Sequence, residues 1–373
     1  MTDLIPGRAD TEGTARWTRR FPDADPAHWR TLDGLTVSSV GLGTYLGEAT
    51  DEHDAMYAEA AALFLALGGN VVDTAVNYRC QRSERMLGGV LDHVLTASDV
   101  GRDELVVCTK AGFLPFDGEA PRSRKLMEAH VQQTLIEPGF CHPDEIVAGC
   151  HCMAPAFLDR MIEVSRRNLG LATLDVVYLH NPETQLQAVE PAEFNRRLEA
   201  AFGTLEAARA DGRIGRYGIA TWAGLRAGRD DRAFLDLRTC LEVAQSVGGR
   251  EHGFRVIQLP HNLTMPEAMN LPNQRLPTGP GSTLAAARAL GLGVVASASL
   301  HQAALSQGLP AWLRRHFHGL TTDAQRALQF TRSSPSVTCA LAGMKDTAHV
   351  EENMKLLAVA PLTETRFAAI KPA

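Results

Sequence analysis

The sequence lacks the features of several broad protein classes. Its 373 residues contain 37 Lys and Arg against 43 Asp and Glu, and the resulting net charge of −6 argues against a general nucleic-acid binder. No apolar stretch approaches the roughly 18 residues of a transmembrane helix, and the first thirty residues have no apolar core of a secretory signal. These absences predict a cytoplasmic protein with no nucleic-acid or membrane partner.

The cysteines form no regular framework. Seven of them, an odd number in a chain of this length, indicate reduced thiols rather than a disulfide scaffold. Cys141, Cys150 and Cys152 lie close in sequence to His142 and His151, but a Cys-x-Cys pair strains simultaneous ligation of one metal ion. We expect no metal and favour a pocket loop in which His151 contacts the substrate, with a structural metal and a redox-active thiol pair as alternatives.

A convincing glycine-rich phosphate loop is also missing. The nearest candidate, Gly41–Gly47, has its third glycine one residue late, and no acidic residue ends a second strand at the ribose-binding distance. A tight turn after the first strand is therefore the favoured interpretation, and a doubly wound nucleotide-binding sheet is disfavoured.

Short apolar runs alternate with helical segments along the chain. Most are apolar on consecutive positions, as expected for strands that are covered on both sides. Eight strands alternating with helices predict a (β/α)8 TIM barrel over residues 31–373, after an N-terminal extension at residues 1–30. The predicted strands are Val37–Leu42, Asn70–Thr74, Leu105–Thr109, Leu174–His180, Tyr217–Thr221, Val256–Leu259, Gly293–Ser297 and Val337–Ala342.

Two connections are too long to be simple turns. Residues 111–153 follow the third predicted strand, and residues 260–280 follow the sixth. Long loops at the C-terminal rim of a barrel commonly shape the substrate pocket. We therefore expect long loops at this rim. Phe113 and Trp222 are candidate pocket walls, and core packing is the alternative for each.

Four side chains with complementary proton chemistry lie at the ends of successive predicted strands: Asp73, Tyr78, Lys110 and His180. A phenol is a poor acid at neutral pH unless a neighbouring cation stabilises its anion, and a carboxylate can hold that cation charged. An imidazole can donate a hydrogen bond to a substrate carbonyl. Each residue alone has an ordinary structural explanation, but together they predict a proton-donating site. Because these groups supply no electrons, a hydride must come from a bound cofactor.

With these motifs the chain resembles the aldo-keto reductases over nearly its whole length. The resemblance implies a (β/α)8 barrel that uses NADPH or NADH and no metal. It assigns Tyr78 as the general acid, Lys110 and Asp73 as the pair that tunes it, and His180 as the group that orients the carbonyl. The matching segments are residues 37–44, 72–78, 83–84, 87–88, 107–110, 165–170, 174–182, 342–345 and 349–353.

The resemblance also implies cofactor positions, with some departures. Ala220-Thr221 replaces the Ser-Asn pair that usually follows the fifth strand, and Ser297 replaces an aromatic residue that often stacks under the nicotinamide. His349 stands where an arginine is frequent, whereas Lys345 favours NADPH, with NADH as the open alternative. The implied cofactor residues are Thr221, Gln258, Ser297, Gly343, Lys345, His349, Glu352 and Asn353.

The resemblance thus implies an NAD(P)H-dependent reductase that converts an aldehyde, ketone or sugar-like carbonyl to an alcohol. Two alternatives stay open: a cofactor-binding regulatory subunit of the same fold with little turnover, and a sugar or alcohol dehydrogenase that works in the oxidative direction. The four retained side chains favour an enzyme acting on a small-molecule carbonyl. The sequence identifies neither the substrate nor the oligomeric state.

Overall fold

Helices surround a ring of short strands in the computed structural model, which describes residues 4–370. The strands in this range are β1 (Trp29–Leu32), β2 (Leu35–Ser38), β3 (Val40–Gly43), β4 (Val71–Asp73), β5 (Val106–Ala111), β6 (Leu174–His180), β7 (Ile214–Ala220), β8 (Phe254–Pro260), β9 (Gln274–Leu276), β10 (Gly279–Gly281), β11 (Gly293–Ser297) and β12 (Cys339–Gly343). The α-helices are α1 (Thr11–Thr18), α2 (Asp51–Ala66), α3 (Arg82–Ala97), α4 (Arg124–Val131), α5 (Pro155–Leu169), α6 (Pro191–Ala210), α7 (Leu237–Gly248), α8 (Glu267–Asn270), α9 (Thr283–Ala289), α10 (Asp323–Ser333), α11 (Thr347–Met354) and α12 (Glu364–Ala368).

Eight of these strands close into a parallel barrel in the order β3-β4-β5-β6-β7-β8-β11-β12, with β12 pairing back to β3. Strand β6 is buried at all seven positions, because helices cover its outer side and other side chains fill the barrel on its inner side. Parallel strands that alternate with helices around a closed ring confirm the predicted (β/α)8 barrel.

The chain enters the barrel through a hairpin, and here the predicted first strand, Val37–Leu42, was wrong. Strand β2 pairs antiparallel with β1, and the barrel strand begins only at Val40. The change of direction occurs at Ser39, whose N–H donates to the His28 carbonyl at 2.9 Å. Two buried leucines of the hairpin, Leu32 and Leu35, belong to the same apolar cluster as Val106 and Val176 inside the barrel.

The segment before the barrel packs against the N-terminal ends of the barrel strands. The Ala9 N–H donates to Asp175 in β6 at 2.6 Å, and the buried Trp17 donates its indole N–H to the Gly68 carbonyl at 3.1 Å. Of the segment predicted as an N-terminal extension, residues 1–3 lie outside the described residues.

The two long connections begin at the C-terminal ends of β5 and β8, which is the opposite end of the barrel. The first contains α4, and the second contains α8 and the hairpin β9–β10. Within residues 4–370, no helix has both the length and the apolar character needed to span a membrane.

Candidate active site

A cavity of about 660 Å³ opens at the C-terminal ends of the barrel strands. Its wall includes residues at the ends of β4, β6, β7, β8, β11 and β12, which is the part of a (β/α)8 barrel where active sites are found. The structure brings together most of the site residues that the sequence predicted. Those on the wall are Asp73, Tyr78, Phe113, His180, Thr221, Trp222, Gln258, Ser297, Gly343, His349, Glu352 and Asn353.

Tyr78 reaches the cavity through a loop that follows β4. The loop continues alongside β5, because the Val76 N–H donates to the Lys110 carbonyl at 3.3 Å. The next three residues, Arg79–Gln81, all have positive φ angles of 48°, 56° and 69°. A left-handed conformation is costly for residues other than glycine. The buried Arg79 guanidinium holds this turn by donating to the Glu48 carbonyl at 2.8 Å and to the Asp54 carboxylate.

Lys110 lies directly behind the cavity wall, where it joins Tyr78 to Asp73. Its ammonium is buried, donates to the Asp73 carboxylate and to the Thr74 carbonyl at 2.8 Å, and lies 4.8 Å from the centroid of the Tyr78 ring. The other carboxylate oxygen of Asp73 accepts a hydrogen bond from the Gln258 amide at 2.8 Å. The carboxylate therefore links a residue implied as catalytic to one implied as cofactor-binding.

The charges around Tyr78 act on its pKa in opposite directions. Burial raises the pKa of the phenol, while the Lys110 ammonium lowers it, and the net direction is upward. Burial alone would lower the pKa of Lys110, but the Asp73 carboxylate and Tyr78 outweigh this and raise it. The ammonium therefore stays charged and the phenol stays protonated at neutral pH, the form that can donate a proton.

His180 is neutral in this environment. Burial is the main reason that its pKa falls well below the usual value, and the nearby Lys110 charge acts in the same direction. Its ring packs edge-on against Tyr78, with centroids 5.8 Å apart, and against Phe113 at 4.9 Å. A neutral imidazole carries one N–H, so His180 can donate one hydrogen bond to a substrate oxygen.

Two residues that were predicted to contact a ligand, one the substrate and one the cofactor, lie off the cavity wall. His151 was predicted to contact the substrate, but it is fully buried behind His180, and its Nε2 lies 2.7 Å from the His180 carbonyl oxygen. Lys345 lies off the cavity wall, with its amine 2.8 Å from Nε2 of His53. The sequence could not indicate either contact, because each depends on how separate rim loops fold.

The loop that follows β11 contributes wall residues that the sequence analysis missed. Only Ser297 was predicted, whereas the next six residues, from Ala298 to Ala303, also line the cavity. Ala298, His301, Gln302 and Ala303 have positive φ angles of 53°, 46°, 51° and 71°. Residues 298–303 include no glycine that would have indicated positive φ angles. The sequence could therefore have indicated these wall residues only by their position after a predicted barrel strand.

Trp222 and Tyr45 place two exposed aromatic rings on the cavity wall, with exposed fractions of 51% and 57%. Trp222 is held by the buried carboxylate of Glu183, which accepts hydrogen bonds from three successive backbone N–H groups at residues 222–224, at 2.8, 2.9 and 3.2 Å. The exposure of Trp222 places it on the wall rather than in the core. Tyr45 packs edge-on against Tyr78 at 5.0 Å.

Four polar atoms on the wall have no hydrogen-bond partner within residues 4–370: Asn77 Oδ1, His180 Nδ1, Thr221 Oγ1 and Asn353 Oδ1. Buried polar atoms are normally paired, and each exception calls for an explanation, such as a catalytic role or a water or ion bound there. These atoms extend along the cavity from Tyr78 to the end of α11. The residues therefore fit an elongated polar ligand, as a nicotinamide nucleotide would be.

The segment with the clustered cysteines forms no metal site in the described part of the chain. Cys141 and Cys152 are buried, and Cys150 is exposed. His151 is engaged with His180, and His142 begins a 3₁₀ turn by accepting from the Asp144 N–H. The segment ends beside the cavity, where the Cys152 N–H donates to the Gly112 carbonyl at 2.8 Å.

The sequence is similar to those of known proteins over about half of its length. The model of the aldo/keto reductase family matches residues 39–227, just over half of the chain. A curated relative, the D-threo-aldose 1-dehydrogenase of a Pseudomonas species, is 29% identical over 190 residues, which are 50% of this chain and 50% of that protein. The match therefore spans about half the length of that relative.

Solved structures share the fold over most of the chain. One is an aldo/keto reductase from Klebsiella pneumoniae in complex with NADP and acetate, at 19% identity and a TM-score of 0.61, covering 91% of this chain and 93% of that one. Another is an aldo-keto reductase from Bacillus halodurans in its holo form, at 18% identity and a TM-score of 0.60, covering 92% and 94%. The fold and the family match agree: the chain belongs to the aldo/keto reductase family.

Proposed function

We propose that this chain is a nicotinamide-dependent oxidoreductase that interconverts a carbonyl and an alcohol, with Tyr78 exchanging the proton of the substrate oxygen. The main support is the contact of the Lys110 ammonium with both Asp73 and the Tyr78 ring. This charge favours the phenolate, so it makes the phenol a better proton donor than it would be in the same site without lysine.

Each residue then has a defined role in the proposed reaction. Tyr78 donates a proton to the oxygen of a bound carbonyl during reduction and accepts one from an alcohol during oxidation. Lys110 stabilises the phenolate, and Asp73 keeps the ammonium charged and in place. His180, as a neutral imidazole, donates a hydrogen bond that orients the substrate oxygen towards Tyr78.

A bound nicotinamide nucleotide would supply the hydride in this scheme. Gln258 and Thr221, at the ends of neighbouring strands, would hold its carboxamide end, and the unpartnered Thr221 hydroxyl supports this position. Glu352 and Asn353 at the end of α11 would hold the adenine end, where the unpartnered Asn353 oxygen supports the same interpretation. NADP is the first candidate, because the Klebsiella pneumoniae enzyme is complexed with it.

The favoured substrate is an uncharged sugar or a similar hydroxylated carbonyl. Tyr45, Phe113 and Trp222 share the cavity wall with Tyr78, and aromatic rings beside amide and hydroxyl groups suit an uncharged polyol. The relative that is named D-threo-aldose 1-dehydrogenase favours the oxidative direction on an aldose. Reduction of an aldehyde, ketone or sugar-like carbonyl and oxidation of an aldose are therefore the two directions to test.

Replacement of Tyr78 by Phe tests the proposal. We expect the wild-type protein to change nicotinamide absorbance with a panel of carbonyl compounds or with aldoses. Tyr78→Phe removes only the hydroxyl group, so kcat should fall by about 10²- to 10⁴-fold, while the Kd of the nucleotide, from quenching of tryptophan fluorescence, should stay the same. Phe21→Tyr, a change of the same size far from the cavity, serves as the control.

Two results would contradict the proposal. If Tyr78→Phe turned over as fast as the wild type, the acid would have to be another residue. If the wild type bound the nucleotide but turned over neither carbonyls nor aldoses, the regulatory-subunit alternative would be favoured. Comparing initial rates with NADP and aldose against rates with NADPH and carbonyl decides the direction.

A further inference from the structure

A series of hydrogen bonds, partly buried at Arg197 and fully buried beyond it, runs from helix α6 to the backbone of His180. Arg197 donates to Oε1 of Gln185 at 2.6 Å, and Nε2 of Gln185 lies 2.9 Å from Nδ1 of His151. Nε2 of His151 in turn lies 2.7 Å from the His180 carbonyl oxygen. These hydrogen bonds therefore connect a surface helix to His180, the residue that the proposed function assigns to the substrate oxygen.

The chemistry of the end groups fixes the direction of every bond in this chain. A guanidinium can only donate, so the carbonyl oxygen of the Gln185 amide faces Arg197 and its NH₂ group faces His151. Nδ1 of His151 must then accept, which places the ring proton on Nε2. This is the tautomer that the His180 carbonyl, which can only accept, requires at the other end.

Burial keeps this arrangement in a single protonation state. His151 and Gln185 are both fully buried, and burial lowers the pKa of His151 to about 4. Arg197 is anchored at the far end, because its Nε donates to Glu193 at 2.9 Å. At neutral pH, His151 is therefore a neutral imidazole with one N–H, which it donates to His180.

The backbone around this contact has little room to adjust. The residue after His180, Asn181, has a left-handed φ of 46°, and its N–H donates to the Ala220 carbonyl at 2.6 Å. Gly112 passes so close that a Cβ there would lie 2.6 Å from the His180 carbonyl oxygen and 3.0 Å from His151 Nε2. The Phe113 ring packs edge-on against both histidine rings, at 5.2 and 4.9 Å.

We propose that His151 is a positioning residue, held as the Nε2–H tautomer by Gln185 and Arg197, that sets the His180 backbone and thereby aims the His180 ring at the substrate oxygen. This inference rests on the proposed function in one respect, the role of His180. The donor and acceptor direction of these hydrogen bonds can be tested without measuring turnover.

Gln185→Glu reverses the direction of the hydrogen bond between residue 185 and Nδ1 of His151, and it hardly changes the shape of the side chain. A carboxylate can only accept, so it draws a proton to Nδ1 of His151 and raises the pKa of that ring. While the ring is doubly protonated, it still donates to His180. Once it is neutral, its Nε2 lone pair faces the His180 carbonyl oxygen and the contact is lost.

The first measurement is the ¹⁵N spectrum of the histidine rings, in which the His151 signals are identified by their absence from His151→Gln. We expect the wild type to show a protonated Nε2 and a bare Nδ1 between about pH 5 and 8. In Gln185→Glu, we expect a protonated Nδ1 and a shift of the His180 ring signals. A wild-type His151 with its proton on Nδ1 would overturn the proposal.

The second measurement is the pH dependence of kcat. Gln185→Glu should lose about 10- to 100-fold in kcat above the new pKa of His151 and recover below it, with no change in the Kd of the nucleotide. The control is Gln274→Glu, which alters a buried amide off the cavity wall that donates to the Leu235 carbonyl at 3.1 Å. This variant should not show the loss of kcat at higher pH.

A Gln185→Glu protein with the moved proton but wild-type kcat at every pH would also overturn the positioning role. If the wild type turns over no substrate, the proposed function fails. The ring spectra still decide this inference in that case, because a His180 signal that does not move in Gln185→Glu contradicts it.

Discussion

Two buried cation–carboxylate pairs lie at opposite ends of the barrel and have similar chemistry. Lys110 pairs with Asp73 at the C-terminal end, and Arg102 pairs with Asp175 at the N-terminal end. All four side chains are at least nine-tenths buried. The two pairs differ in what surrounds them, and this difference predicts that only the C-terminal pair takes part in the proposed reaction.

The pair at the N-terminal end is bound to the backbone. The Arg102 guanidinium also donates to the Leu105 and Thr173 carbonyls, at 2.7 and 3.1 Å. The Asp175 carboxylate also accepts from the Ala9 and Val107 N–H groups, at 2.6 and 2.8 Å. Apart from Nε of Arg102, which has no partner among the described residues, these contacts pair both charged groups with parts of the chain that define the fold. The pair thus joins the N-terminal segment to strands β5 and β6.

The pair at the C-terminal end faces side chains of the cavity. Lys110 has one backbone acceptor, Thr74, and its other neighbours are Asp73 and the Tyr78 ring. Asp73 has the Gln258 amide as its second donor. Because Tyr78 and Gln258 both line the cavity, a change in the charge of this pair would change the electrostatic environment of a bound ligand. The comparison predicts that the first pair governs stability and the second governs turnover.

The largest expected effect is on turnover. Lys110→Met removes the charge that favours the phenolate of Tyr78, so kcat should fall by about 10²- to 10⁴-fold. Burial already raises the pKa of the Asp73 carboxyl, so Asp73 can take up a proton when the lysine is absent, which limits the loss of stability. Steady-state rates and the Kd of the nucleotide give the result. A variant with a wild-type kcat per folded molecule and a much lower free energy of unfolding would contradict this assignment.

The matched change at the other end is Arg102→Met, which leaves the Asp175 carboxylate buried without its cation. Removing one partner of a buried ion pair costs about 3–5 kcal/mol. We expect the free energy of unfolding in urea to fall by that amount, while kcat per folded molecule stays the same. If kcat fell as far as in Lys110→Met, the two pairs would not differ in role.

The position of the candidate active site could be anticipated from the sequence. Asp73, Lys110 and His180 each end a run of apolar residues, and parallel strands covered on both sides leave such a pattern. The closure of the barrel then brings the three strand ends to one rim. The general position of the site thus follows from local sequence.

Other features depend on contacts between distant segments. His151 could be recognised as a rim residue, but its position behind His180 depends on Gly112 passing close by and on Gln185 reaching it from the next loop. Helix α10 shows the same limit. Its sequence is polar, yet ten of its eleven residues are buried, because groups such as the Arg332 guanidinium are satisfied by Ser39 and the Val359 carbonyl.

The two ends of the barrel should respond alike to acid, because a buried neutral histidine lies near each of them. Burial lowers the pKa of His28, near the N-terminal end, to about 3, and that of His151, near the C-terminal end, to about 4. In the unfolded chain, each of these histidines binds a proton once the pH is below the ordinary histidine pKa of about 6.5. In the folded protein, both histidines stay neutral in this range. Stability should therefore fall as the pH drops from about 6.5 towards 4, by up to about 1.4 kcal/mol per pH unit for each histidine.

Urea unfolding of His28→Gln and His151→Gln at several pH values measures this dependence. Other groups titrate in the same range, so the quantity to compare is the difference in slope from the wild type. Both variants should have a shallower slope, and His93→Gln, which changes an exposed histidine, should not. A wild-type slope in either buried-site variant would mean that this histidine is protonated in the folded protein.

The smallest expected effect concerns a third cation, Lys345, which has no carboxylate partner among the described residues. Its amine lies 2.8 Å from His53 Nε2, and the neighbouring Gly343 lines the cavity. If the amine leaves His53 to bind the 2′-phosphate of NADPH, Lys345→Met should raise the Kd of NADPH about tenfold and leave that of NADH unchanged. Lys355→Met, which alters an exposed lysine off the cavity wall, is the control for charge alone. An equal loss for both nucleotides would show that Lys345 acts on the loop rather than on the phosphate.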